Sequence, residues 1–453
     1  MPSAAVERFL DHLESAGVEL HSLMLLRHGE VVAEGWWEPY TPEGVQLLYS
    51  LSKSFTSTAV GLAVAEGRLS VDDPVASFFP QVDQASLHPR VLRMRVRHLL
   101  SMSSGHRDDT LASVRDANDP ASAFLALVPE EEPGVWFTYN NGATLMLSLI
   151  VTRVTGERLL EYLRPRLLAP LGIGDAYWTG TAGFDHGFSG LHLTTEAIAR
   201  FGQLYLQGGE WQGQQLVPAD WVAEATCSHV DNPREPNPDW RQGYGYQFWR
   251  CQHDGYRGDG AYGQFCVILP EHDVVLATTA ATEDMQAILD AVWTLLLPAF
   301  SDEISKPQPA AAALADRLAA LTVPPVRGEA TPGGVVASGP WRAEMPGEDQ
   351  PVRSLAVTEA VGGSGWVLQV TEADRTYEVA CGHGEWRSQE HNLGGSLTTA
   401  ACGGWTGAAT FTAEIVFTQT PHRLVLVADV DTGMLAARWH TAPLSPIRPR
   451  PPR

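Results

Sequence analysis

Ser50 and Lys53 stand three residues apart in the run Tyr49-Ser50-Leu51-Ser52-Lys53. On a helix that spacing puts both side chains on one face, within hydrogen-bonding reach. A serine hydroxyl is a weak nucleophile until a neighbouring base takes its proton, and an amine can be that base. The run opens a helical pattern that continues to about Glu66 and stops at Gly67. A serine at a helix start also turns its backbone N–H, and the positive end of the helix dipole, toward developing negative charge. Nucleophile, base and oxyanion site are what acyl transfer requires.

Composition sharpens this reading. Among the 31 lysines and arginines only two, Lys53 and Lys306, are lysines. Arginine stays protonated in proteins, whereas a desolvated lysine can lose its proton and act as a base. A chain that writes almost all of its positive charge as arginine, yet keeps a lysine at position 53, points to a task a guanidinium cannot perform. Lys306 falls in a Pro-rich stretch and reads as incidental.

The elements that must hold these residues follow from periodicity. Val6, Phe9, Leu10 and Leu13 carry helical spacing over residues 4–16. Residues 21–27 and 31–37 read as a β-hairpin joined at His28-Gly29-Glu30. Residues 67–214 read as mostly helix and loop. Strands are expected at 244–249, 262–269 and 274–280, followed by a covering helix over 282–297. These pieces make up a first domain, residues 1–300. A Pro/Ala-rich linker with a short helix over 310–321 spans 301–338. Short alternating runs at 366–370, 411–418, 424–430 and 435–440 predict an all-β accessory domain over 339–444. The Pro/Arg-rich tail, 445–453, is expected to fray.

Length and charge bound the rest. At 453 residues the chain exceeds one typical core. With 44% hydrophobic residues, 19% charged residues and a formal net charge of -22, it reads as globular and acidic. That charge disfavours nucleic acid and anionic membranes as partners. The N-terminal residues lack a basic start followed by an apolar run, and the expectation is a cytoplasmic protein. Five scattered cysteines without CxxC spacing read as reduced thiols. No G-x-S-x-G, H-E-x-x-H or P-loop run occurs.

The surroundings of Ser50 resemble a known family. Tyr49-Ser50-Leu51-Ser52-Lys53-Ser54-Phe55-Thr56-Ser57 is similar to the S-x-S-K-[ST]-F-T signature of class C β-lactamases and related esterases. The runs from Gly67 to Val75 (GRLSVDDPV) and from Val96 to Gly105 (VRHLLSMSSG) resemble further stretches of that family. So do Pro133-Gly134 leading to Tyr139-Asn140-Asn141, and Gly190-Leu191 followed by the run from Leu204 to Gly209. The resemblance covers roughly residues 20–300 in the family's order. It implies an α+β fold: an antiparallel sheet flanked by helices with an all-helical lobe, here followed by the small all-β domain.

The resemblance also implies roles. Ser50 attacks the carbonyl, and Lys53 and Tyr139 share the proton work. Tyr139 is either drawn toward a phenolate by the lysine charge or relays a proton to the leaving group. Asn141 orients Lys53 or the substrate carbonyl. Gly260 lets backbone approach the substrate, and the N–H of Ala261 completes an oxyanion hole with that of Ser50. No cofactor or metal is implied, and the partner is a small-molecule ester or amide; oligomeric state is left open.

One element departs from the family. Where relatives carry K-T-G or H-x-G, this chain has Arg257-Gly258-Asp259-Gly260-Ala261. The group that would hold a penicillin carboxylate is lost, which turns the expectation toward esterases and 6-aminohexanoate-dimer hydrolases. Asp259 reads as a turn-former, or else as a partner for a cationic substrate group. His98, His106 and His192 read as structural. Two alternatives remain beside the hydrolase: a binding domain without turnover, and a D-aminopeptidase-type enzyme.

Overall fold

The computed structural model describes residues 2–181, 183–300, 310–330, 339–343, 351–360, 363, 365–373, 375–393 and 395–445. Its centre is a six-stranded sheet in the order Trp249–Arg250, Tyr256–Gly260, Gln264–Leu269, Val274–Ala280, Leu20–Arg27, Glu30–Trp36. Every neighbouring pair is antiparallel. Alternation along the strands feeds two cores. Leu23, Leu25, Phe265, Val267 and Leu276 pack against the first helix, Ser3–Ser15, and against Met285–Ala291. Met24, Leu26, Cys266, Ile268 and Val275 pack on the opposite side, with Phe55 of the Ser52–Ala65 helix and Ile198 and Phe201 of Thr195–Leu206. Cover on both faces explains why the strand from Leu20 to Arg27 is buried throughout.

The expected strand at 244–249 is mostly irregular, with only Trp249–Arg250 paired at the sheet edge. Asp259, read as a turn-former, lies instead in a buried strand, Tyr256–Gly260, and Gln264–Leu269 begins two residues later than expected. The helical lobe carries Ser52–Ala65 and Asn141–Thr155. It is not entirely helical: Gln46–Leu47, Leu191–Leu193 and Tyr177–Trp178 form a small sheet. Strands of two or three residues carry too little alternation to be read from sequence.

The C-terminal part is an all-β barrel. Its order is Thr376–His383, Trp366–Thr371, Ser354–Glu359, Trp341–Ala343, Met434–Trp439, Arg423–Asp429, Thr410–Phe417, Ser396–Trp405. Parallel pairing of Cys381, Gly382 and His383 with Ala401, Cys402 and Gly403 closes the circle, and Arg387–Asn392 lies along the rest of the last strand. Leu355, Val357, Leu368, Val379, Phe411, Ile415 and Leu426 fill the interior. The Ala310–Ala319 helix lies against the first helix, with Arg317 reaching Asp11 (2.7 Å) and Glu14 (3.2 Å). Most of the tail, 446–453, lies outside the described residues. All five cysteines are free. Among the described residues no helix is long and apolar enough to cross a membrane.

Candidate active site

Ser50 sits in a single 3-10 turn, Tyr49–Leu51, that runs directly into the Ser52–Ala65 helix. The Ser52 hydroxyl donates to the Tyr49 carbonyl (2.6 Å) and accepts from the Leu191 N–H (3.1 Å), tying the turn to the lobe. One helical turn places the Lys53 Nζ 2.9 Å from Ser50 Oγ. The same nitrogen lies 2.7 Å from Asn141 Oδ1 and 2.9 Å from the Phe188 carbonyl. Lys53 is only 1% exposed. Burial lowers its pKa to about 7, although Asp109 and Asp259 pull the other way.

The partners define what the amine can do. A carbonyl accepts only, and Asn141 presents its oxygen because its Nδ2 donates to Asp109 Oδ2 (2.7 Å). A neutral Lys53 spends its two N–H groups on these acceptors, and its lone pair then faces the Ser50 hydroxyl. Asp109 also accepts from the Asn141 backbone N–H (2.8 Å) at the start of the Asn141–Thr155 helix. Sequence reading missed Asp109, since nothing in His106-Arg107-Asp108-Asp109 marks one carboxylate over the other.

Tyr139 stacks on Trp249 (5.4 Å between ring centroids, 17°) and lies under the Lys53 amine, 4.7 Å from its ring centroid. Of the two roles the resemblance implies for Tyr139, the surroundings disfavour the phenolate. Burial raises the Tyr139 pKa and Asp259 adds to the rise, against a hydrogen bond to Ser50 that pulls it down. Tyr139 is therefore a neutral phenol bonded to Ser50, suited to relaying a proton.

The Tyr256–Gly260 strand runs against the Ser50 turn, and two glycines permit the approach. A Cβ on Gly258 would meet Leu51 Cδ1 at 2.3 Å and Ser54 Oγ at 2.6 Å; one on Gly260 would meet the Leu48 carbonyl oxygen at 2.0 Å. Ala261 follows in the turn to Gln264–Leu269, where the Gln264 side chain donates to its carbonyl (3.1 Å). Asp259 is neither a turn-former nor a free anion: its carboxylate takes the Arg257 Nε–H at 3.1 Å. The Arg257 guanidinium is fully buried over Trp240, 4.3 Å from the ring centroid, and also donates to the Asp239 and Arg250 carbonyls. This cation is already taken up.

Four non-glycine residues around the site adopt left-handed backbone: Tyr49 (φ 47°), Met102 (φ 55°), Gln247 (φ 64°) and Tyr262 (φ 71°). Each such conformation costs roughly 1–3 kcal/mol and persists only where the surroundings enforce it. Gln247 is held by Thr144 (2.7 Å) and by the Leu99 and Leu100 carbonyls. A cavity of about 390 Å³ reaches the Ser50 turn at Tyr49 and is lined also by Phe188, His192 and, from the barrel, Thr420 and His422. The three histidines read as structural have local partners: His98 accepts from the Arg95 N–H (3.1 Å), His106 meets Ser104 (3.0 Å), and His192 donates to the Gly190 carbonyl (3.0 Å).

A half-buried serine with a buried lysine at a helix start, facing a strand of an antiparallel sheet, is the architecture of the serine β-lactamase and penicillin-binding-protein class. The family model described as Beta-lactamase matches residues 5–297, and the chain belongs to that family. The 6-aminohexanoate-dimer hydrolase of Paenarthrobacter ureafaciens is 29% identical over 289 residues, which are 58% of this chain and 73% of that one. A D-aminopeptidase of Brucella anthropi is 28% identical over 38% of this chain and 35% of its own length. The octameric penicillin-binding protein homologue of Pyrococcus abyssi superposes with a TM-score of 0.54 at 18% identity. That superposition covers 94% of this chain and 97% of the other, so the likeness in fold extends over the barrel.

Proposed function

We propose that this protein is a serine hydrolase that cleaves a small ester or amide through an acyl-enzyme on Ser50. The observation that carries the proposal is the Lys53 amine, brought to about pKa 7 with its third direction aimed at Ser50 Oγ. Ser50 Oγ bonds to the substrate carbonyl carbon as its proton passes to Lys53. The oxyanion rests on the N–H groups of Ser50 and Ala261. Collapse breaks the bond to the leaving group, which takes a proton through Tyr139, itself resupplied by Lys53. Water then attacks the acyl carbon, giving its proton to the same base. The ester bond to Ser50 breaks, Ser50 Oγ is reprotonated, and the carboxylic acid departs.

The likeness to a 6-aminohexanoate-dimer hydrolase and a D-aminopeptidase favours amides of small molecules over β-lactams. So does the Gly258-Asp259-Gly260 segment, where the neighbouring Arg257 guanidinium is bound to Asp259. The test is a burst assay with p-nitrophenyl acetate and butyrate, followed by mass spectrometry of the trapped protein. The expected result is a burst with an acyl group on the Ser50 peptide, both lost in Ser50→Ala, with turnover down on the order of 10⁴-fold or more. Nitrocefin is expected to turn over far more slowly than either ester. No burst and no adduct in the unaltered protein would instead favour a binding domain without turnover.

A further inference from the structure

The residue before Ser50 and the residue after Ala261 are both tyrosines in left-handed backbone, and both send their hydroxyls to the barrel. Tyr49 Oη lies 2.6 Å from His422 Nε2, and Tyr262 Oη donates to the Ala442 carbonyl at 2.6 Å. The histidine's state follows from its other nitrogen. Nδ1 lies 2.9 Å from the Thr441 carbonyl, which can only accept, so Nδ1 carries the proton and Nε2 accepts from Tyr49. The Tyr49 oxygen in turn accepts the Leu444 N–H at 3.4 Å. The three rings meet edge to face at 5.6 Å (Tyr49 and Tyr262), 5.9 Å (Tyr49 and His422) and 5.6 Å (Tyr262 and His422).

The same barrel turn holds the approach to Ser50. The Leu47 N–H donates to the Gln419 carbonyl (2.8 Å), and the Gln46 side chain donates to that of Thr418 (2.5 Å). Two backbone segments from distant parts of the chain, each next to a proposed oxyanion donor, are thus fastened to one turn and one terminal segment of the barrel.

We infer that the barrel is a working part of the active site, in which His422 and the 441–444 segment position the Ser50 and Ala261 amides through Tyr49 and Tyr262. This rests on the serine-hydrolase reading above. In this inference His422 acts through Tyr49 rather than on the reacting atoms and is a positioning residue. An oxyanion hole acts on the transition state more than on bound substrate. Its misalignment therefore lowers kcat and the acylation rate while KM holds, and misplacement on the order of 1 Å can cost about 10²-fold.

The test compares Tyr49→Phe, Tyr262→Phe and His422→Ala in the full chain, by burst kinetics with p-nitrophenyl butyrate and by thermal unfolding. Tyr49→Phe and Tyr262→Phe each remove one oxygen and keep the ring, so they carry the test even where His422→Ala fails to fold. The expected result is an acylation rate reduced about tenfold or more with KM within about twofold. The double variant Tyr49→Phe/His422→Ala is expected to be no slower than the slower single variant, since both break one link. His422→Gln, whose amide oxygen can accept the phenol proton, is expected to recover part of the rate. Unchanged acylation in both phenylalanine variants, a change in KM alone, or effects of Tyr49→Phe and His422→Ala that multiply would each overturn the inference. These outcomes leave the hydrolase reading intact, whereas an unaltered protein with no burst overturns both.

Discussion

An ordinary lysine amine is a cation at neutral pH and has no lone pair to offer. Burial brings the Lys53 amine to about 7, so base and acid forms coexist near neutral pH, as the proposed mechanism requires. The acylation rate is therefore expected to rise with pH and level off above an apparent pKa near 7, read by stopped flow with p-nitrophenyl acetate. Tyr139 adds no ionisation in that range because burial raises its pKa. Lys53→Ala is expected to slow acylation by about 10²- to 10⁴-fold. Stability carries the same signature. The unfolded amine titrates near the ordinary 10.5 and so binds more protons than the folded one between about 7 and 10.5. Stability rises with pH across that window, the penalty of the buried ammonium is fully present below it, and Lys53→Met should flatten the dependence in urea titrations. Asp109→Ala frees Asn141 to turn its NH₂ toward Lys53, and about a 10- to 100-fold loss of kcat is expected. The scarcity of lysine made Lys53 visible in the sequence. Asp109 was invisible because its role is to hold another side chain, which leaves no local pattern.

At the scale of elements, the closeness of the Tyr256–Gly260 strand to the Ser50 turn depends on side chains that are absent. Gly260→Ala places a methyl group 2.0 Å from the Leu48 carbonyl, a backbone atom that cannot swing aside. The strand must then move, with an expected loss of about 100-fold in kcat and roughly 1–3 kcal/mol of stability, checked by burst kinetics and urea unfolding. Gly260 was legible in the sequence, but Asp259 was read as a turn-former. A lone charge suggests a turn, and it is the pairing with Arg257 that offsets burying Asp259 in a strand. The helix and hairpin at the N-terminus, by contrast, were legible to within a residue or two, since their apolar spacing is long and regular. In the barrel, Arg387–Asn392 is wholly polar and Ser396–Trp405 is rich in alanine and glycine, so neither announced itself as a strand.

Across the whole molecule, the barrel is joined to the first part by more than the linking segment. Arg423 reaches Glu19 at 2.6 Å, and the turn at Gln419 bonds the strand that leads into the Ser50 turn. None of this could be foreseen from the sequence, because the two contacting segments lie about 370 residues apart and each is an ordinary turn by composition. The near-total use of arginine has a practical consequence at this scale. A 49.2 kDa protein with two lysines is almost silent in any spectrum that reports on lysine side chains. Selective ¹³Cε labelling of lysine would give two resonances, one from Lys53 and one from Lys306. Their chemical shifts, followed against pH, would show the proton leaving the Lys53 amine without substrate, inhibitor or mutation. A midpoint near 7 in one of them would be the base itself, seen at rest. Two midpoints near 10.5 would mean that Lys53 remains a cation at neutral pH and that the proton of Ser50 must go elsewhere.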